Sequence, residues 1–175
     1  MVRTLHLLRH AKSSWQDAEL PDHDRPLSKR GRRAGAALAH RFARESAPDV
    51  VLCSTALRTR QTLELISAAL KPPKVVFEPA IYGGGIRKLM KLLWHLPDSA
   101  QTVLLIGHNP ALHELAVSLA DDTTAGRLPS LADKFPTGAL ATFQFTGKWS
   151  DLHAGKAAAI AYVRPADLGD GDDAA

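Results

Sequence analysis

Along the chain, short apolar runs of strand length alternate with longer stretches in which apolar residues recur every third or fourth position. Thr4–Leu8, Val50–Cys53, Val75–Phe77 and Thr102–Ile106 read as strands. The stretch after Pro26-Leu27 opens with Ser28, a residue able to cap a helix, and then places Ala34, Leu38 and Phe42 on one face. Leu63, Ile66 and Leu70 mark a second helix behind Ser54 or Thr55 as cap, and Ile86, Leu89, Leu93 and Leu96 a third after Gly83-Gly84-Gly85. Asn109 stands where it can cap a fourth, with Pro110 at the first helical position, where the missing N–H costs nothing. This alternation predicts an α/β fold with a mostly parallel sheet, closed by Ala139–Phe145 and Lys156–Val163 as a partly antiparallel edge. Asp121–Pro136, rich in Asp, Thr, Pro and Gly, reads as a loop able to overhang a site.

Of the 175 residues 45% are hydrophobic, enough for one core without staples, so the expected organisation is a single domain over residues 1–165 with a frayed acidic, Gly-containing tail at 166–175. No apolar run approaches the ~18 residues of a membrane span, and the first ten residues hold too short an apolar stretch for a secretory signal. A cytoplasmic protein without membrane contact is the expectation. The single cysteine, Cys53, closes the apolar run Val50-Val51-Leu52 and reads as a core thiol, not a nucleophile. Setting aside Asp167, Asp170, Asp172 and Asp173, the formal net charge of +4 becomes +8 for the preceding residues. So basic a body favours an anionic partner, a phosphorylated substrate or nucleic acid. Few aromatic residues are on hand for stacking bases, which argues against nucleic acid.

In an open α/β sheet ligands bind beyond the carboxyl ends of the strands. Three of those positions carry chemistry: Arg9-His10 after the first strand, Ser54-Thr55-Ala56-Leu57-Arg58 after the second, and Gly107-His108-Asn109-Pro110 after the fourth. Arg58 and Arg60 fall in the first turn of a helix, where a cation opposes the macrodipole at a cost of roughly 0.3–1 kcal/mol. A bound phosphate would offset that cost. Gly107 permits close backbone approach beside His108. Phosphoryl transfer needs a nucleophile and positive charge around the equatorial oxygens. A neutral imidazole supplies the first through a phosphohistidine intermediate, and arginines supply the second bidentately. Nothing in this set calls for a metal or cofactor: the carboxylates are not clustered at strand ends, and no His or Cys pair has zinc spacing.

The ordered stretches Leu8-Arg9-His10-Ala11-Lys12-Ser13, Asp24-Arg25-Pro26-Leu27-Ser28-Lys29-Arg30-Gly31, Ser54-Thr55-Ala56-Leu57-Arg58-Thr59-Arg60-Gln61-Thr62, Gly107-His108-Asn109-Pro110 and Phe135-Pro136-Thr137-Gly138-Ala139 resemble the histidine phosphatase superfamily. Within it they are most similar to the short bacterial branch related to the phosphohistidine phosphatase SixA. The resemblance implies a phosphoglycerate mutase-like three-layer αβα sandwich, His10 as phosphoryl acceptor, Arg9, Arg58 and His108 around the phosphate, and Arg25 as a secondary substrate contact. Two departures stand out. The usual Arg-His-Gly reads Arg9-His10-Ala11, and the inserted segment that carries a general acid in larger members has no counterpart. Glu78, at the end of the Val75 strand, is the remaining candidate acid; Ser13 and Thr137 are candidate substrate contacts.

An alkoxide leaving group needs a proton, whereas the imidazole of a phosphohistidine leaves a labile P–N bond with less help. The expected substrate is therefore a phosphohistidine-carrying protein or another activated or small phosphoryl donor. A catalytically silent phosphate-binding module and a nucleic-acid-binding protein are the alternatives. His6 lies four strand residues before His10, about 13 Å away, and reads as a hydrogen-bonded core histidine.

Overall fold

The computed structural model describes residues 1–71 and 74–168. Six strands, β1 (Val2–Arg9), β2 (Val50–Cys53), β3 (Val75–Phe77), β4 (Thr102–Gly107), β5 (Leu140–Thr146) and β6 (Ala158–Val163), form one sheet in the order β3-β2-β4-β1-β5-β6. The first four pair with one another in parallel, and β5 runs antiparallel to both β1 and β6. The sheet is the mostly parallel one expected, with the antiparallel edge where the closing strands were placed.

Alternation along the central strands assigns the faces. Leu5 and Leu7 of β1 join Val103 and Leu105 of β4 in one core cluster, with Leu89 and Leu93 of α3 (Ile86–Trp94) and Leu112 and Leu115 of α4 (Ala111–Leu119) above them. Leu8, Leu104 and Ile106 point the other way, onto Leu38 and Phe42 of α1 (Lys29–Phe42) and Leu63 and Ile66 of α2 (Leu57–Leu70). Both faces are covered, which is why the central strands are mostly apolar, His6 of β1 being a buried exception. The result is the three-layer αβα sandwich expected. Leu105 is fully buried in the first cluster, so Leu105→Ala would cost about 2–5 kcal/mol.

Local chemistry explains most boundaries. Ser28 caps α1, its hydroxyl accepting from Gly31 N at 3.1 Å. Three expectations are corrected. Neither Ser54 nor Thr55 caps α2; Ala56 stands at that position without a side-chain bond, for reasons that lie in the site. The fourth helix starts one residue late, with Pro110 as its cap residue after a cis Asn109–Pro110 bond, because the Asn109 amide instead donates to Phe135 O at 2.8 Å. The segment expected to be a loop at 121–136 holds two short helices, α5 (Asp122–Arg127) and α6 (Ser130–Asp133). Asp121 caps α5 through Thr124 N at 3.1 Å, and Leu131 and Phe135 are buried in the first core cluster, so packing holds helices too short to stand alone.

A 3-10 turn at Pro165–Leu168 includes the first residues of the expected tail; Arg164 grips Asp167 there and Leu168 packs on the second core cluster. Residues 169–175 of that tail lie outside the described residues. Cys53 is buried, and burial pushes its thiol up to about 12. Among the described residues no helix is long and apolar enough to cross a membrane.

Candidate active site

His10 is held between two strand ends. Its own N–H donates to Gly107 O at the end of β4 at 3.1 Å, and Gly138 N, just before β5, donates to the carbonyls of Arg9 and His10 at 3.1 and 3.0 Å. Gly138 does this at φ +77°, a backbone conformation that explains glycine there. The next residue, Ala11, is fully buried and donates to Thr62 Oγ1 at 3.1 Å; that hydroxyl in turn donates to Arg58 O at 2.7 Å. Thr62 therefore ties the loop after β1 to α2. The helix α1 closes against the same loop: Ser28 N donates to Lys12 O at 2.9 Å, and a Cβ on Gly31 would stand 2.1 Å from that oxygen.

The imidazole of His10 is oriented by one bond. Its Nδ1 lies 2.7 Å from Ala11 O; a carbonyl only accepts, so Nδ1 carries the proton and the lone pair resides on Nε2. That nitrogen accepts from Arg58 Nε at 3.3 Å and borders a cavity of about 300 Å3. Burial first, then the charges of Arg58 and Arg9, push the ring down to about 4 against the pull of its bond to Ala11. At neutral pH the ring is uncharged.

Arg58 sits in the first turn of a helix without a side-chain cap or an acidic residue there. The two hydroxyls that would have capped it are engaged elsewhere: Ser54 Oγ meets His108 Nε2 at 2.7 Å, and Thr55 Oγ1 meets His23 Nε2 at 3.0 Å. Arg58 Nη2 reaches toward His108 Nδ1 at 3.4 Å, so that nitrogen accepts and the His108 proton lies on Nε2, donated to Ser54. Burial, followed by His10 and Arg58, pushes His108 down to about 3. Arg9 donates to Phe135 O at 3.0 Å, while its Nε and Asn109 Oδ1 are buried with no partner among the described residues. A pocket with two guanidinium groups, an imidazole lone pair met by an arginine N–H and orphaned polar atoms is built for an oxyanion.

The chain matches the model of the histidine phosphatase superfamily (branch 1) over residues 5–81. It is 37% identical to an uncharacterized protein of Mycobacterium tuberculosis over 161 residues, covering 90% of this chain and 99% of the relative. A structure assigned as phosphohistidine phosphatase SixA from Nakamurella multipartitia superposes with a TM-score of 0.83 at 33% identity, over 94% of this chain and 97% of that one. The protein histidine phosphatase SixA complexed with tungstate gives a TM-score of 0.71 at 25% identity, covering 94% and 99%. The chain belongs to the histidine phosphatase superfamily. It is a SixA-like phosphatase.

In this histidine phosphatase, Arg9, His10, Arg58 and His108 meet at one mouth, and Ser13 and Thr137 line the same cavity. Two residues expected at the site are elsewhere. Glu78 points back along its own chain, accepting from Ala80 N at 2.9 Å as the cap of a short 3-10 turn, and does not line the cavity. Arg25 is buried beneath Trp15, donating to Asp17 O at 2.8 Å, and is likewise not a lining residue. Gly107 is needed for side-chain packing, since a Cβ there would meet Ile81 Cγ2 at 2.9 Å.

Sequence reasoning missed Asp22 and Tyr82. Asp22 takes both terminal nitrogens of Arg58, Nη1 on its carbonyl at 2.6 Å and Nη2 on its carboxylate at 2.9 Å, and Tyr82 OH donates to the same carboxylate oxygen at 2.9 Å. Desolvation works to raise the Asp22 pKa, but the bonds from Arg58 and Tyr82 outweigh it and hold the carboxyl below its ordinary range. The signal was weak: an Asp three residues before Arg25-Pro26, in a polar loop with no periodicity. His23 packs edge-on to Tyr82 at 4.8 Å. Among the described residues no three His, Cys, Asp or Glu side chains gather as metal ligands.

Proposed function

We propose that this phosphatase transfers a phosphoryl group from a phosphohistidine-carrying protein, or another activated or small donor, to His10, without a metal ion. The observation that carries the reading is the Nε2 lone pair of a buried neutral imidazole, facing a cavity bordered by Arg9 and Arg58. Nε2 attacks phosphorus, the bond to the leaving atom breaks, and its electron pair leaves with that atom. Arg58 and Arg9 neutralise charge on the equatorial oxygens. Water then attacks the phosphohistidine, the P–Nε2 bond breaks, and inorganic phosphate departs as the lone pair returns to Nε2.

Leaving-group chemistry supports the substrate class. With Glu78 outside the cavity and Asp22 ionised against Arg58, no protonated carboxylic acid lines the site among the described residues, which suits a P–N donor over an unactivated alkyl ester. Relatives described as phosphohistidine phosphatases support the same choice. Phosphate binding competes with Asp22 for Arg58, and the freed carboxylate beside a dianion would gain proton affinity, so slower turnover of esters is expected as well.

The test is a quench of wild type with phosphoramidate, followed by intact mass measurement. An acid-labile, base-stable phosphoryl increment on His10, formed with chelator present and absent from His10→Ala, is the expected result. Tight phosphate binding with neither turnover nor a phosphoenzyme would instead mark a silent binding module.

A further inference from the structure

Trp15 is 68% exposed, yet it lines the same cavity as His10 and Arg58. Its ring lies 4.1 Å from the guanidinium carbon of Arg25, which is itself 6% exposed and bonded to Asp17 O at 2.8 Å. The two arms of this loop are stitched below the indole, where Ser14 N donates to Pro26 O at 2.8 Å and Ser13 bridges Leu27. One face of the ring is thus occupied by a fixed cation, and the rest of the side chain stands open at the mouth. Core packing does not account for a large apolar side chain held out in water by a buried arginine.

In-line transfer fixes which part of a substrate arrives there. The buried His10 and the exposed Trp15 line one cavity, so a leaving group departing in line from Nε2 moves away from the buried ring, into the cavity that Trp15 also lines. We propose that Trp15, positioned by Arg25, is a stacking subsite for planar aromatic leaving groups, the imidazole of a phosphohistidine or an aryl ring. The subsite deepens the phosphatase reading and rests on it. A ring settling on a pre-positioned indole loses little side-chain freedom, and such stacking commonly changes affinity by roughly five- to tenfold.

Two ratios test it. The first is kcat/KM for free phosphohistidine over kcat/KM for phosphoramidate, two P–N donors that differ in the ring. The second is the affinity for phenylphosphonate over that for methylphosphonate, which needs no turnover. Both are expected to fall about five- to tenfold in Trp15→Leu, an apolar but non-planar replacement, and to stay within about twofold of wild type in Trp15→Phe. Arg25→Gln is expected to lower both ratios part-way. Unchanged ratios in Trp15→Leu would overturn the proposal, as would an effect confined to long phosphopeptides with free phosphohistidine unaltered. If wild type turns over neither donor, the phosphatase reading fails while the phosphonate ratio still judges the subsite.

Discussion

His6 and His10 belong to the same run of chain, one in the middle of β1 and the other one residue past its end, and by the usual signs they are twins. Each is nearly inaccessible, at 4% and 6% exposed, and each is pushed down to about 4, chiefly by burial. Each also borders a cavity, of about 250 and 300 Å3. The difference is what meets the two nitrogens. His6 places Nδ1 2.9 Å from Thr142 Oγ1 and Nε2 3.6 Å from Glu45, and the nearby cation, Arg41, is already matched to Glu45 at 2.7 Å. His10 ties down one nitrogen and leaves the other toward Arg58 and open space. Burial and weakened basicity therefore do not separate the two rings; a lone pair facing cations at a cavity does.

Removing each ring should separate the twins most. His10→Ala is expected to lower kcat/KM for phosphoramidate by at least about a thousandfold, whereas His6→Gln should leave it within about twofold; comparable losses in both would erase the distinction. Next comes Arg58→Ala, expected to cost about a hundred- to a thousandfold in kcat, with Arg58→Lys recovering little because an ammonium cannot reproduce the fork.

Acid should expose what the twins share. Unfolded imidazoles gain protons through 6.5, but folded His6 and His10 do so only near 4 and His108 near 3, so the unfolded state binds more protons in between and stability falls as pH drops through that window. Denaturant midpoints measured from neutral pH downward should show the loss, on the order of a few kcal/mol. His6→Gln should flatten its slope by about a third, while NMR titration of His10 should find no midpoint near 6.5. The mildest effect is expected from Asp22→Asn. With half of the Asp22 side chain exposed, releasing Arg58 should tighten phosphate binding by only about threefold, read by calorimetry, while turnover of alkyl esters falls relative to phosphoramidate.

The sheet and its four major helices were legible because their cores are periodic. Leu5 and Leu7 face one layer and Leu8 the other, and such alternation survives in any order of strands. The strand-end rule likewise brought Arg9, His10, Arg58 and His108 to one mouth. It misplaced Glu78 because it locates a residue without aiming its side chain, which here turns back to Ala80. Asp22 escaped for the complementary reason: it lies on a long excursion between β1 and α1, and only the bonds to Arg58 and Tyr82 bring it in. The hydroxyls of Ser54 and Thr55 were read by their nearest helix, though their strongest partners, His108 and His23, are remote in sequence. Short helices such as α6 depend on Leu131 and Phe135 packing, which local propensity does not report.

The Asp22 carboxylate has a consequence for how a cycle ends. A cationic cradle that grips a transferring group also retains the spent anion, and slow escape would throttle repeated use. An acid tethered beside Arg58 acts as a built-in rival at an effective concentration of about millimolar, so each spent ion leaves against a competitor that never diffuses away.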